Sequence, residues 1–381
     1  MLTLAIGHSE DPDEEGALEE VLSKCAEQLA GRTPTLGVLY AAYDFDAKVL
    51  LDGILNTYPD LKLVGCTTDG EMSSCGGFTE DAVVLTLFSS DSIQFSVAVA
   101  RDLSLDSSLS IKKAVDELLG QSVEPPEVCL AMPDSLTVNP AKVIEELFSI
   151  LPEKCTVAGA GAADQWTFDG TRQFFGREVL RDAMPIYSLH GPVVHSYGIG
   201  SGWKPIGKTA VVTKSSGNTI YTIDNEPAIN YYRHNYGAEA RPAGDRPLAF
   251  LNDDGSIRYL RASTEAFDEE TGAIDYFGFV PEGFNVQLTV ADNDAILDGA
   301  VLSIEMALNN YPVDESPQCA LLFSCSARKL LLGTKTCCEK ESMELKLGAS
   351  VPLAGFYGYG EILNGDFHNE TCVVMLLGEK S

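Results

Sequence analysis

The sequence predicts an α/β protein: mixed sheets with helices packed on their faces, built from repeated helix–strand–helix–strand units with antiparallel hairpins. Three observations lead there. Apolar stripes at helical spacing alternate along the chain with short apolar runs. Those runs are continuous rather than alternating, as in strands covered on both faces. A glycine-rich turn then recurs after the second strand of each of three units.

The elements follow in order. Asp11-Pro12 opens a helix whose stripe is Leu18, Val21, Leu22, Cys25 and Leu29, with Gly31 ending it. A second helix carries Ile111, Ala114, Val115, Leu118 and Leu119 before Gly120. A third starts at Asn139-Pro140 and presents Val143, Ile144, Leu147, Phe148 and Leu151. Asp292 caps a fourth bearing Leu297, Val301, Ile304 and Leu308. Asp81 to Phe88 and Ile93 to Ala100 alternate in polarity and read as antiparallel hairpin strands.

By-eye alignment gives three copies. The first runs through Leu36–Tyr40, Val64–Glu71 and Val83–Phe88. The second runs through Val128–Met132, Val157–Gly161 and Pro192–Gly200. The third runs through Ala320–Phe323, Leu353–Glu361 and Cys372–Leu377. At 381 residues, two domains are expected. Breaker-rich stretches between 215 and 245 put the boundary near 220/221, giving 1–220 and 221–381.

Composition narrows the function. Hydrophobic content of 45% argues against disorder. The 26 basic against 56 acidic residues give a net charge of −30, which repels phosphate backbones and anionic lipid. Nucleic-acid and membrane partners are therefore not expected, and a small-molecule ligand is. Ten cysteines without any C-x-x-C pair read as reduced thiols. The N-terminal Met-Leu-Thr-Leu-Ala-Ile-Gly-His reads as a first strand rather than a signal peptide, so a cytoplasmic location is expected.

Specific motifs cluster in the last sixty residues: Ser324-Cys325-Ser326-Ala327-Arg328, then Gly355-Phe356-Tyr357-Gly358-Tyr359-Gly360-Glu361, then His368-Asn369-Glu370-Thr371. These resemble the C-terminal FIST domain. Val64-Gly65-Cys66-Thr67-Thr68-Asp69-Gly70-Glu71, Trp203-Lys204-Pro205-Ile206-Gly207 and Asp224-Asn225-Glu226-Pro227-Ala228 resemble the N-terminal FIST domain that precedes it. The resemblance implies a sensory input module of signal transduction in its stand-alone form, passing its signal to a separate partner such as a histidine kinase. Its implied ligand is an amino acid or similar metabolite, with no cofactor. The alternative within the family is a haem-based nitric oxide sensor, for which His234 and His368 are the haem candidates.

The residues suggest how a ligand would be held. If the strands ending at Ser324 and Gly355 are parallel, their carboxyl ends share one sheet edge. Arg328 offers a fork for a carboxylate and Glu361 an acceptor for an ammonium group. Tyr357 and Tyr359 add hydroxyls and apolar faces, with Ser324, Cys325 and His368 beside them. Three alternatives stay open. Arg328 and Glu361 pair with each other and only lock two strand ends. Cys325, Glu361 and His368 converge as a catalytic set. Or the pocket lies around Gly65–Glu71 and Gly159–Gly161. That first loop lacks the Gly-Lys-Ser/Thr of a phosphate loop. His190 and His195, spaced five apart, would face opposite sides of one strand.

Overall fold

The computed structural model describes residues 1–380. Its architecture is mixed α/β, with three six-stranded sheets that share one strand order. Each is centred on a parallel pair: Leu36–Ala42 with Lys62–Thr68, Pro126–Ala131 with Thr156–Ala160, and Cys319–Cys325 with Leu353–Gly358. An antiparallel strand flanks the first member of each pair, namely Val83–Ser89, Ala183–His190 or Cys372–Glu379. Beyond it lies an outer strand, Thr3–Ser9, Gln94–Arg101 or Val193–Gly200.

The other flank is supplied from elsewhere in the chain. The hairpin of residues 173–180, from the second unit, completes the first sheet. The hairpin of 361–368, from the third unit, completes the second. The hairpin of 71–79, from the first unit, completes the third. Each sheet therefore depends on a neighbour for an edge, and the three units close a ring.

Helices cover the outer faces. The α1 helix (Glu14–Leu29) and α2 (Ala47–Thr57) lie on the first sheet, and α3 (Leu103–Leu119) and α4 (Pro140–Ile150) on the second. Between Val193–Gly200 and Cys319–Cys325 of the third unit, residues 204–290 form a separate antiparallel sheet around α5 (Ala228–Tyr236). The third sheet is covered by α6 (Asn293–Asn310), α7 (Ser326–Leu332) and α8 (Thr336–Leu347). Local chemistry explains the starts: Asn139 accepts from the Ala141 and Lys142 amides, and Asp292 from Ala295. One apolar cluster draws Tyr40, Met132, Tyr187, Phe323, Phe356 and Met375 from all three sheets, and fills the space they enclose.

Three glycines make this closeness possible. Gly65, Gly159 and Gly355 lie opposite Leu39, Ala131 and Leu322 in the parallel pairs. A Cβ on them would sit 2.0, 2.0 and 1.8 Å from those residues' carbonyl oxygens. Just beyond, the turns interlock in a cycle. The Asp69 amide donates to the Tyr357 carbonyl (2.9 Å), Tyr359 to Gly161 (3.0 Å), and Ala163 to Thr67 (2.9 Å).

The structure corrects the sequence reading at three places. Val83–Ser89 and Gln94–Arg101 are antiparallel strands but not partners, because the chain crosses from the first sheet to the second between them. Val193–Gly200, expected to close the second unit, pairs with Cys372–Glu379 in the third sheet, while Ala183–His190 closes the second. His190 and His195 therefore lie in different sheets. The α1 helix starts at Glu14, because Asp13 rather than Asp11 caps it. All ten cysteines are free. Among the described residues, no helix is long and apolar enough to cross a membrane.

Candidate functional site

The residues expected to line one pocket divide into separate groups. Arg328 is fully buried, and its partner is Glu339, not Glu361. Its Nε and Nη2 donate to Glu339 Oε1 at 3.0 and 2.5 Å. Nη1 donates to the Ser201 carbonyl (2.5 Å) and Nη2 to the Ile296 carbonyl (2.9 Å). Ser324 Oγ and the Tyr357 hydroxyl donate to Glu339 Oε2 at 2.8 and 2.5 Å. Burial opposes the guanidinium charge, but Glu339 overrides it and holds the pKa above its usual value. Every arm of the fork is engaged, so Arg328 ties α7 to α6 and α8.

Glu361 lies elsewhere. Its Oε2 accepts from the Thr371 amide (3.2 Å) and hydroxyl (2.7 Å), while its Oε1 has no protein partner. Burial pushes its pKa well up. Cys325 is buried near Glu361 and Glu370, and burial first, then those carboxyls, push its thiol up. That opposes the thiolate a nucleophile needs. His368 pairs with Glu361 across the hairpin and is 7% exposed, and burial lowers its pKa to about 4. His234 is exposed on α5, whose apolar face (Ala228, Ile229, Tyr232) turns to the core of the inserted sheet.

Tyr359 leads to a different constellation, at the centre where the three turns interlock. Its hydroxyl donates to Asp164 Oδ1 (2.8 Å) and accepts from the Trp166 amide (2.6 Å). The Trp166 indole donates to Asp69 Oδ2 (2.9 Å), and Lys329 Nζ donates to Asp69 Oδ1 (3.0 Å). Lys329 also reaches Glu80 at 3.3 Å. Trp166, Phe168 and Tyr359 form an aromatic group with ring centroids 5.6–5.8 Å apart. One unit supplies Asp69, the second Asp164, Trp166 and Phe168, and the third Lys329 and Tyr359. Ser326, one turn before Lys329, donates to the Gly358 carbonyl (3.0 Å).

Two properties make this centre the candidate site. Gln165, Trp166 and Phe168 all have positive φ (55°, 62° and 51°), a cluster of strain held by the Asp164 and Tyr359 hydrogen bonds. Asp69 is 1% exposed, and burial pushes its pKa up against the pull of Lys329, Ser326 and Trp166. Above it, Phe168 is half exposed. A buried carboxylate, a cation and an aromatic surface open to solvent thus meet at one point.

Tyr359 is the one expected site residue that belongs here, and the alternative location around Gly65–Glu71 and Gly159–Gly161 coincides with it. Lys329, Asp164, Trp166 and Glu339 went unread. Lys329 directly follows Arg328, and Trp166 is one of two tryptophans, so both carried a signal. Glu339 carried none. A groove of about 560 Å³ lies apart from this centre, lined by His8, Glu10, Asp11, Lys24 and Cys75 among others. Its histidine is already bonded to Ser73 (2.7 Å) and Thr79 (2.6 Å), and burial lowers its pKa to about 4.

Comparison with known proteins places the chain in context. The FIST N domain matches residues 35–226 and the FIST C domain residues 228–364. An uncharacterized protein of Mycobacterium tuberculosis is 27% identical over 377 residues, covering 95% of this chain and 94% of its own. One of Methanocaldococcus jannaschii is 25% identical over 252 residues, covering 59% and 48%. Among solved structures, a cyanuric acid hydrolase from A. caulinodans aligns over 100% of both chains at TM-score 0.36 and 9% identity, too distant to bear on fold or activity.

Proposed function

The chain belongs to the FIST family, whose domains are associated with sensing in signal transduction, and on that premise we propose that it binds an amino acid or similar zwitterionic metabolite without transforming it. The observation that supports this is the Asp69–Lys329 pair beneath Trp166, Phe168 and Tyr359. Opposite charges side by side match a ligand that carries both an ammonium and a carboxylate, and the rings offer an apolar face to its side chain. The bound ligand would draw Lys329 from Asp69 toward its own carboxylate. The strained 165–168 segment is the element such a change would shift, and a separate partner, such as a histidine kinase, would read it.

The test is a thermal-melt screen against free amino acids and related metabolites. A ligand that binds only the native state raises the melting temperature, by about 2.7 kcal/mol of stability at a hundredfold excess over Kd. The expected result is a shift with one chemical class, lost in Asp69→Asn and in Lys329→Met. A shift that persists in both variants moves the site elsewhere.

A further inference from the structure

Two thiols stand side by side at the start of α8. Cys337 is exposed and Cys338 half-buried, whereas seven of the other cysteines are buried. Glu341 follows Cys337 by four residues and Cys338 by three, so on a helix one carboxylate stacks over both side chains. The two sulfur atoms and a carboxylate oxygen all lie within 4.8 Å of one another. Three groups that become anions share one spot on the surface.

We propose that Cys337, Cys338 and Glu341 form a binding site for a thiophilic divalent cation of the Zn²⁺ or Cd²⁺ kind. Thiolate sulfurs bind Zn²⁺ at about 2.3 Å, so a tetrahedral site needs the sulfurs about 3.8 Å apart, within reach of small rotamer changes here. Hard cations such as Mg²⁺ and Ca²⁺ take oxygen ligands and do not match a pair of sulfurs. Binding converts two thiols to thiolates and releases two protons, with water filling the fourth position. The site lies on the turn that carries Glu339, the acceptor of Ser324, Arg328 and Tyr357. The same turn begins with Thr336, whose hydroxyl donates to the Lys329 carbonyl (3.2 Å). A captured ion therefore stiffens the turn that supports the central lysine.

Cd²⁺ is the probe, titrated into the reduced full-length protein and followed by the sulfur-to-metal charge-transfer band. The band is expected to saturate at one equivalent. Cys75→Ser, which removes the exposed thiol outside this site, leaves it intact. The double variant Cys337→Ser/Cys338→Ser abolishes it, and Glu341→Gln weakens the affinity about tenfold or more. Circular dichroism checks that each variant is folded. The absence of a band at one equivalent, its survival in the double variant, or wild-type affinity in Glu341→Gln each overturns the three-ligand site.

Discussion

Arg328 and Lys329 are adjacent in α7, yet one enters a dry interior and the other faces the centre between the three turns. Arg328 is bound on every arm by a buried carboxylate and backbone carbonyls. Lys329 has a 12% exposed side chain and holds two carboxylates, one of them on the surface. A planar fork suits the first position, where several fixed acceptors converge. A single ammonium on a flexible stem suits the second, where it spans a buried and an exposed carboxylate. Two cations one residue apart thus divide into one locked among fixed acceptors and one shared between a buried and an exposed carboxylate.

The largest expected effect tests the tie. Arg328→Met strands Glu339 in the interior without its cation, and chemical denaturation should show a loss of about 3–5 kcal/mol. A loss below 1 kcal/mol would erase the distinction between the neighbours. Next comes the close packing that sets the centre. Gly355→Ala forces a Cβ against the Leu322 carbonyl and should cost about 1–3 kcal/mol in the same assay.

Protonation sharpens the comparison further. Both Glu370 carboxyl oxygens are buried without a protein partner, and burial raises the pKa from 4.5 to about 8. The folded state then binds more protons than the unfolded one between those values. Stability should fall as pH rises from about 4.5 through about 8. Glu370→Gln should flatten that slope and gain at least about 1.4 kcal/mol at pH 9, the worth of one pKa unit. An unchanged slope would show that Glu370 does not titrate in this range.

At the centre, Asp69→Asn should cost only about 1 kcal/mol of stability while abolishing the ligand-induced melting shift. Variants of the tie should show the reverse weighting. The smallest effect is spectroscopic. Trp203 is buried, with its indole donating to the Asp245 carbonyl (3.3 Å), whereas Trp166 touches Asp69. In Trp203→Phe the remaining fluorescence should respond to the ligand, and in Trp166→Phe it should not. A response carried by Trp203 would move the binding event to the inserted sheet.

Much of the fold was legible because helix starts and buried strands have local causes. Asn139-Pro140 and Asp292 cap helices by side-chain chemistry that the sequence spells out. The runs at Leu36, Val128 and Ala320 became the leading strands of the three parallel pairs. The segments at 83–89 and 94–101 misled, because alternation reports that a strand is half covered and not which strand lies beside it. The site misled for a related reason. Arg328, Glu361 and Tyr359 are near one another in a short stretch of chain, but hairpin 361–368 leaves its own unit for the second sheet. Glu361 departs with it, and Arg328 meets Glu339 instead.

The sequence by itself determined the family, the α/β class and the capped helices, since each depends on contacts within a few residues or on a recognisable motif. Only the tertiary structure decided that three hairpins are exchanged around a ring, and that Asp69, Asp164, Trp166, Lys329 and Tyr359 meet at its centre. Hydrogen bonds between sheet edges carry no signature of which edge they join, and a side chain's role follows from burial and partners that the folded chain alone supplies.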